Sequence, residues 1–126
     1  MNKIKKTFAI VMAMIFVLVL CTVSAFASTY VEEYIGNYRL YGEIVGDKYF
    51  ASGYTSYSAP NAICAVELFE IYTDYSYSWL AGDSGSGSAY TSAASSGSIY
   101  VDYIGADHHF GENGNYYGVR STCTED

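Results

Sequence analysis

Apolar and polar residues alternate over short stretches along most of this chain, and turn signals interrupt them roughly every ten residues. Tyr38 to Val45 sets Tyr38, Leu40 and Ile44 on one face and Arg39, Tyr41 and Glu43 on the other. A period of two predicts a half-buried β-strand. Gly46-Asp47 follows, and then a second β-prone run, Lys48 to Thr55. A two-residue Gly-Asp link predicts a hairpin, because glycine accepts the positive φ of the primed turns. Tyr30 to Ile35 reads as a short edge strand ahead of it, with a tethered arm as the alternative. Ser58 to Asn61 reads as a turn, since Pro60, the only proline, has no N–H to give to a ladder.

Ala62 to Thr73 is the longest apolar run after the first 27 residues. A helix competes here, because Glu67 and Glu70 are three apart and would share a helical face. As a strand, the run puts Glu67 among Ile63, Ala65, Phe69 and Ile71, and Glu70 between Leu68 and Tyr72. Its isoleucines, valine and aromatics favour the strand. Asp74 to Ala81 has period two and predicts the returning strand. Gly82 to Ser88 reads as a flexible loop by composition. Ala89 to Ala94 predicts a short polar strand, and Ser95 to Ser98 a turn. Ile99 to Ala106 predicts a further strand. Asp107 to Asn115 predicts a loop with a tight turn at Asn113-Gly114, and Tyr116 to Cys123 a closing strand. The whole predicts an all-β chain: a small antiparallel β-sandwich or barrel of about seven or eight short strands. A faint repeat would place the runs from Ala62 and Ile99 in equivalent positions of two halves, which favours the strand for the first. Tyr54-Thr55-Ser56 followed by Ile63 matches Tyr90-Thr91-Ser92 followed by Ile99 at a spacing of 36.

The first 27 residues change the picture of where the protein works. Lys3, Lys5 and Lys6 precede an uncharged apolar stretch from Phe8 to Leu20, and Ala25-Phe26-Ala27 ends the segment. This is the order of a cleaved secretory signal peptide, with small residues at the cleavage site. A retained anchor is the rival, since Thr7 to Ala27 is just long enough to span a bilayer. Cleavage leaves one domain, residues 28–126, secreted or held at the cell surface. It also leaves three basic residues against 13 acidic ones, a net charge of −10. Such a surface repels phosphate backbones and anionic lipid, which argues against nucleic-acid and membrane partners. Cys64 and Cys123 remain, and in an exported chain they predict a disulfide. That bond would close a loop of about 60 residues and contribute about 4 kcal/mol in the chain-entropy model.

Candidate chemistry is sparse. Gly82-Asp83-Ser84-Gly85 resembles the segment around the nucleophile of trypsin-like serine proteases, over those four residues alone. Both histidines follow the serine, whereas that family places its histidine before it. Asp107, His108, His109 and Glu112 form the densest titratable set and are candidate metal ligands, provided that a loop turns them toward one ion. All 15 tyrosines lie after residue 27, mixed with serine and glycine. Tyr is amphipathic and loses few rotamers on contact, so such surfaces suit recognition of protein or glycan. Tyr75, Tyr77 and Trp79 would line one face of a strand as a candidate ligand platform. No cofactor motif is present and no catalytic constellation emerges. The expectation is a non-enzymatic binding or surface-interaction module, with a secreted toxin or bacteriocin-like effector as the alternative.

Overall fold

The structure is a computed structural model, in which residues 29–124 are described. The signal-peptide reading lies outside them. The described chain holds eight strands and no helix: β1 (Tyr30–Ile35), β2 (Tyr38–Gly46), β3 (Phe50–Tyr57), β4 (Ala62–Tyr72), β5 (Tyr77–Ser86), β6 (Ser88–Ala94), β7 (Val101–Glu112) and β8 (Asn115–Cys123). They form two four-stranded antiparallel sheets. The first has the order β1-β2-β3-β6, the second β5-β4-β7-β8.

The sheets pack face to face because alternate residues of each are apolar. Leu40 and Ile44 of β2 and Ala51 and Tyr57 of β3 meet Cys64, Val66 and Leu68 of β4 and Ile104, Ala106 and Phe110 of β7 in one core. Each fully buried large aliphatic side chain there contributes about 1.5–3 kcal/mol. Two glycines admit the largest intruders. A Cβ on Gly42 would lie 2.6 Å from the His108 ring, and one on Gly118 would lie 2.2 Å from the Phe110 ring. One open side of the sandwich is bridged by Arg120 of β8. Its guanidinium donates to both carboxylate oxygens of Glu33 in β1, at 2.8 and 2.7 Å.

Ala62 to Tyr72 is a strand, and β4 and β7 form the central pair of the second sheet. The hairpin after β2 is present with a three-residue loop, Asp47 to Tyr49, whose Asp47 carboxylate accepts from the backbone N–H groups of Tyr49 and Phe50. Asn113-Gly114 is a two-residue turn with φ of 54° and 81°, as primed turns require. Tyr54 and Tyr90, equivalent in the faint repeat, are register partners across β3 and β6. Phe69 and Gly105, also 36 apart, are partners across β4 and β7. The units β3-β4-β5 and β6-β7-β8 thus occupy matching places.

Three expectations are corrected. Gly82 to Ser86 belongs to β5 rather than to a flexible loop. Its glycines mark close approach: a Cβ on Gly82 would meet the Glu67 carboxylate at 2.5 Å, and one on Gly85 the Ser88 carbonyl at 2.4 Å. Asp107 to Glu112 continues β7, held by ladders to β4 and β8, while Ile99 lies outside the strand and is 86% exposed. The Cys64–Cys123 disulfide does not form, and Cys64 is a free, buried thiol. Cys64 pairs with Phe110 of β7, whereas Cys123 pairs with Gly105 of the same strand. The two cysteines are therefore two strand spacings, about 10 Å, apart and also five residues out of step. A disulfide tolerates a Cα separation of about 7 Å at most. They also face opposite ways, Cys64 into the main core and Cys123 toward Phe69 and Ile71 on the other side of the sheet.

Gly42→Ala is expected to destabilise the fold by about 1–3 kcal/mol through overpacking against His108, read as a lower urea midpoint. Burial pushes the Cys64 thiol up to about 11, so it should resist thiol reagents in the native protein and react on unfolding. Rapid labelling of native Cys64 would contradict its placement.

Candidate functional site

Strand geometry decides what the titratable residues of β7 can do. Successive side chains point to opposite faces of the sheet. His108 therefore points into the sandwich, and Asp107 and His109 point away from the first sheet. His108 is fully buried between Thr55 and Thr122, with Nδ1 and Nε2 each 2.8 Å from a hydroxyl. Thr55 donates its own hydrogen to the Ala65 carbonyl, so its oxygen accepts from Nδ1–H, and Nε2 is the acceptor from Thr122. Burial, with a further push from His109, lowers the His108 pKa to about 3. A neutral imidazole locked between two hydroxyls inside the core serves packing.

On the far face of the second sheet, Glu67 stands opposite Asp107 in register, and Ala65 opposite His109. All of these are buried. The Glu67 carboxylate accepts from the Trp79 indole at 2.6 Å, and Gly82 leaves room for it. The Ser121 hydroxyl donates to Asp107. Tyr116 meets the edge of the His109 ring. Burial lowers the His109 pKa to about 4. Phe69, Ile71, Tyr77 and Tyr103 continue this face as an apolar cluster.

The candidate residues fall as follows. Tyr77 and Trp79 share the far face of β5, with Trp79 42% exposed. Tyr75 is in the preceding turn with φ 70°, so the three do not line one strand face. Asp107, His108, His109 and Glu112 do not converge on one point. Glu112, at the end of β7, accepts from the Tyr117 hydroxyl. Among the described residues no group of three or more His, Cys, Asp or Glu is placed to hold a metal ion. The reason is that a strand, unlike the expected loop, separates neighbours onto two faces.

An open aromatic surface lies elsewhere, on the outer face of the first sheet. Tyr30 of β1, Glu43 of β2, Tyr54 of β3 and Tyr90 of β6 are successive register partners across all four strands. Tyr41, two residues from Glu43, fills the row. Its ring stacks on Tyr30 at 6.5 Å and lies 6.4 Å from Tyr54. Two of the rings, Tyr41 and Tyr90, are anchored. The Tyr41 hydroxyl donates to Glu43 at 2.7 Å, the Tyr90 hydroxyl donates to Ser52, and the Arg39 guanidinium sits 4.8 Å over the Tyr41 ring. Arg39 is itself paired with Glu32. Tyr30 and Tyr90 remain more than half exposed, and Tyr34 is also open to solvent. This row was not singled out from the sequence. Its signal was the phase of the tyrosines: each is one residue out of step with a residue that faces the core, as Tyr41 is with Leu40 and Tyr54 with Thr55.

No protein-family model, no curated protein and no solved structure matches this chain.

The buried histidines predict acid sensitivity. Their folded pKa values lie below the ordinary value of about 6.5, so the unfolded chain takes up protons that the folded chain refuses. Stability is then full above about pH 6.5 and falls as the pH drops toward 4 and then 3. The slope is at most about 1.4 kcal/mol per pH unit for each histidine. Urea midpoints measured from pH 7 to 4.5 should show this decline, and His108→Gln should flatten it. An unchanged slope in the variant would contradict the assignment.

Proposed function

We propose that this protein is an exported, non-enzymatic binding module, carried out of the cell by its N-terminal segment and acting on a cell-surface partner through the tyrosine face of its first sheet. The observation that carries this reading is the set of rings on the outer face of the first sheet: Tyr30, Tyr54 and Tyr90 lie in one register row with Glu43, and the Tyr41 ring stands between Tyr30 and Tyr54. Aromatic side chains on a rigid sheet, two of them (Tyr41 and Tyr90) held by their hydroxyls, present large contact area with little rotamer freedom left to lose. The order of charge, apolar stretch and small residues at the N-terminus supports export. The enclosure of His108 supports a non-catalytic role, because a substrate has no route to its nitrogens.

Fluorescently labelled protein is expected to bind intact bacterial cells. The Tyr54→Ala/Tyr90→Ala double variant should bind at least tenfold more weakly with unchanged circular dichroism. Tyr100→Ala, an exposed tyrosine in the loop before β7, should bind as well as wild type. Equal binding by wild type and the double variant would remove the tyrosine face as the contact surface.

A further inference from the structure

We infer that the partner of the tyrosine face is an uncharged polysaccharide, whose sugar rings stack on Tyr30, Tyr41, Tyr54 and Tyr90. This rests on the reading of that face as the contact surface and adds the chemical class of what it holds.

Charge is the first ground. The chain carries 13 acidic residues, yet the face around the row holds only Glu32, Glu43 and Arg39, a net charge of −1. Glu32 is paired with Arg39, and Glu43 accepts from Tyr41. The face is thus the nearly neutral part of an acidic molecule. A polyanion would be repelled by the surrounding acids, and a polycation would find stronger charge elsewhere on the surface. Shape is the second ground. The rings lie along one twisted sheet rather than converging as the walls of a cage, which suits flat sugar faces more than an ammonium head group. Polar chemistry is the third. Ser56, Ser88 and Ser92 share the outer face with the row, and Glu43 lies in it. Hydroxyls both donate and accept, so a sugar can answer serine and carboxylate alike.

A second copy of the chain is the competing occupant. Two copies would bring together two strongly acidic molecules.

The test is native gel electrophoresis of the full protein in gels containing, separately, a neutral β-glucan, a neutral α-glucan, mannan, xylan, polygalacturonate or chitosan. At least one neutral polymer should retard the protein, and the retardation should persist in 0.5 M salt. Tyr54→Ala and Tyr90→Ala should each weaken it about tenfold, while Tyr54→Phe and Tyr90→Phe, which keep the ring, should retain most of it. Retardation by polygalacturonate or chitosan alone, by no polymer, or equally in the alanine variants would overturn the inference. So would concentration-dependent dimerisation that the alanine variants abolish. Tyrosine-dependent binding to cells without neutral-glycan binding would sink this inference and leave the contact surface standing. Loss of that dependence would sink both.

Discussion

β4 and β7 are buried on both faces, so the polar side chains they carry depend on partners inside the protein, and neighbouring elements supply most of them, although His109 Nε2 is buried with no hydrogen-bond partner among the described residues. A buried polar group left without a partner costs about 1–3 kcal/mol, and a buried charge more. This pair carries Glu67, Glu70, Asp107, His108 and His109. The partners come from different directions. Trp79 of β5 answers Glu67, and Ser121 of β8 answers Asp107. Thr55 of β3 and Thr122 of β8 hold His108. Glu70 accepts from the Tyr72 hydroxyl and from the backbone and hydroxyl of Ser96, which ties down the loop between β6 and β7. The outer strands thus contribute polar anchors as well as apolar cover.

What could be read in the chain follows from how local each signal is. Alternation along Tyr38 to Val45 and Asn-Gly at 113 and 114 are decided by neighbours in sequence, and both yield the expected structure. The run from Ala62 is a strand, and its awkward Glu67 lies on the face where Trp79 reaches it. Gly82 to Ser86 and Asp107 to Glu112 misled because their pairing is non-local. Glycine and serine promote loops in isolation, but here they leave room for Glu67 and for the Ser88 carbonyl. The polar run from Asp107 looks solvated in sequence, yet ladders on both sides draw it into the sheet. The pairing of Cys64 with Cys123 failed for a related reason: two cysteines carry no information about the strand that separates them.

The tyrosines show the same limit at the level of the site. Composition suggested a recognition surface and alternation put it on Tyr75, Tyr77 and Trp79, which do not line one strand face. Tyr77 and Tyr103 pack beside Phe69 and Ile71 on the second sheet, whereas Tyr30, Tyr54 and Tyr90 stand open on the first. These groups have similar sequence surroundings. Register sorts them, by deciding which positions fall in line across strands. On the first sheet, rings fall in line on β1, β3 and β6, with Glu43 in the β2 place and the Tyr41 ring two residues away.

Two stacked four-stranded sheets leave four edge strands, β1, β6, β5 and β8, each able in principle to recruit a strand from another molecule. In this protein β5 and β6 are joined by a one-residue turn at Gly87, whose N–H donates to Ala62 and whose carbonyl accepts from Tyr57. On the other side, the Glu33–Arg120 bridge links β1 to β8. Charges also stand on the edges themselves, Glu32 and Glu33 on β1 and Asp83 on β5. A strand added from a neighbour would have to desolvate them. A chain this rich in β-prone aromatics would otherwise be prone to fibrillise, and its edges oppose that outcome while its tyrosine face stays open.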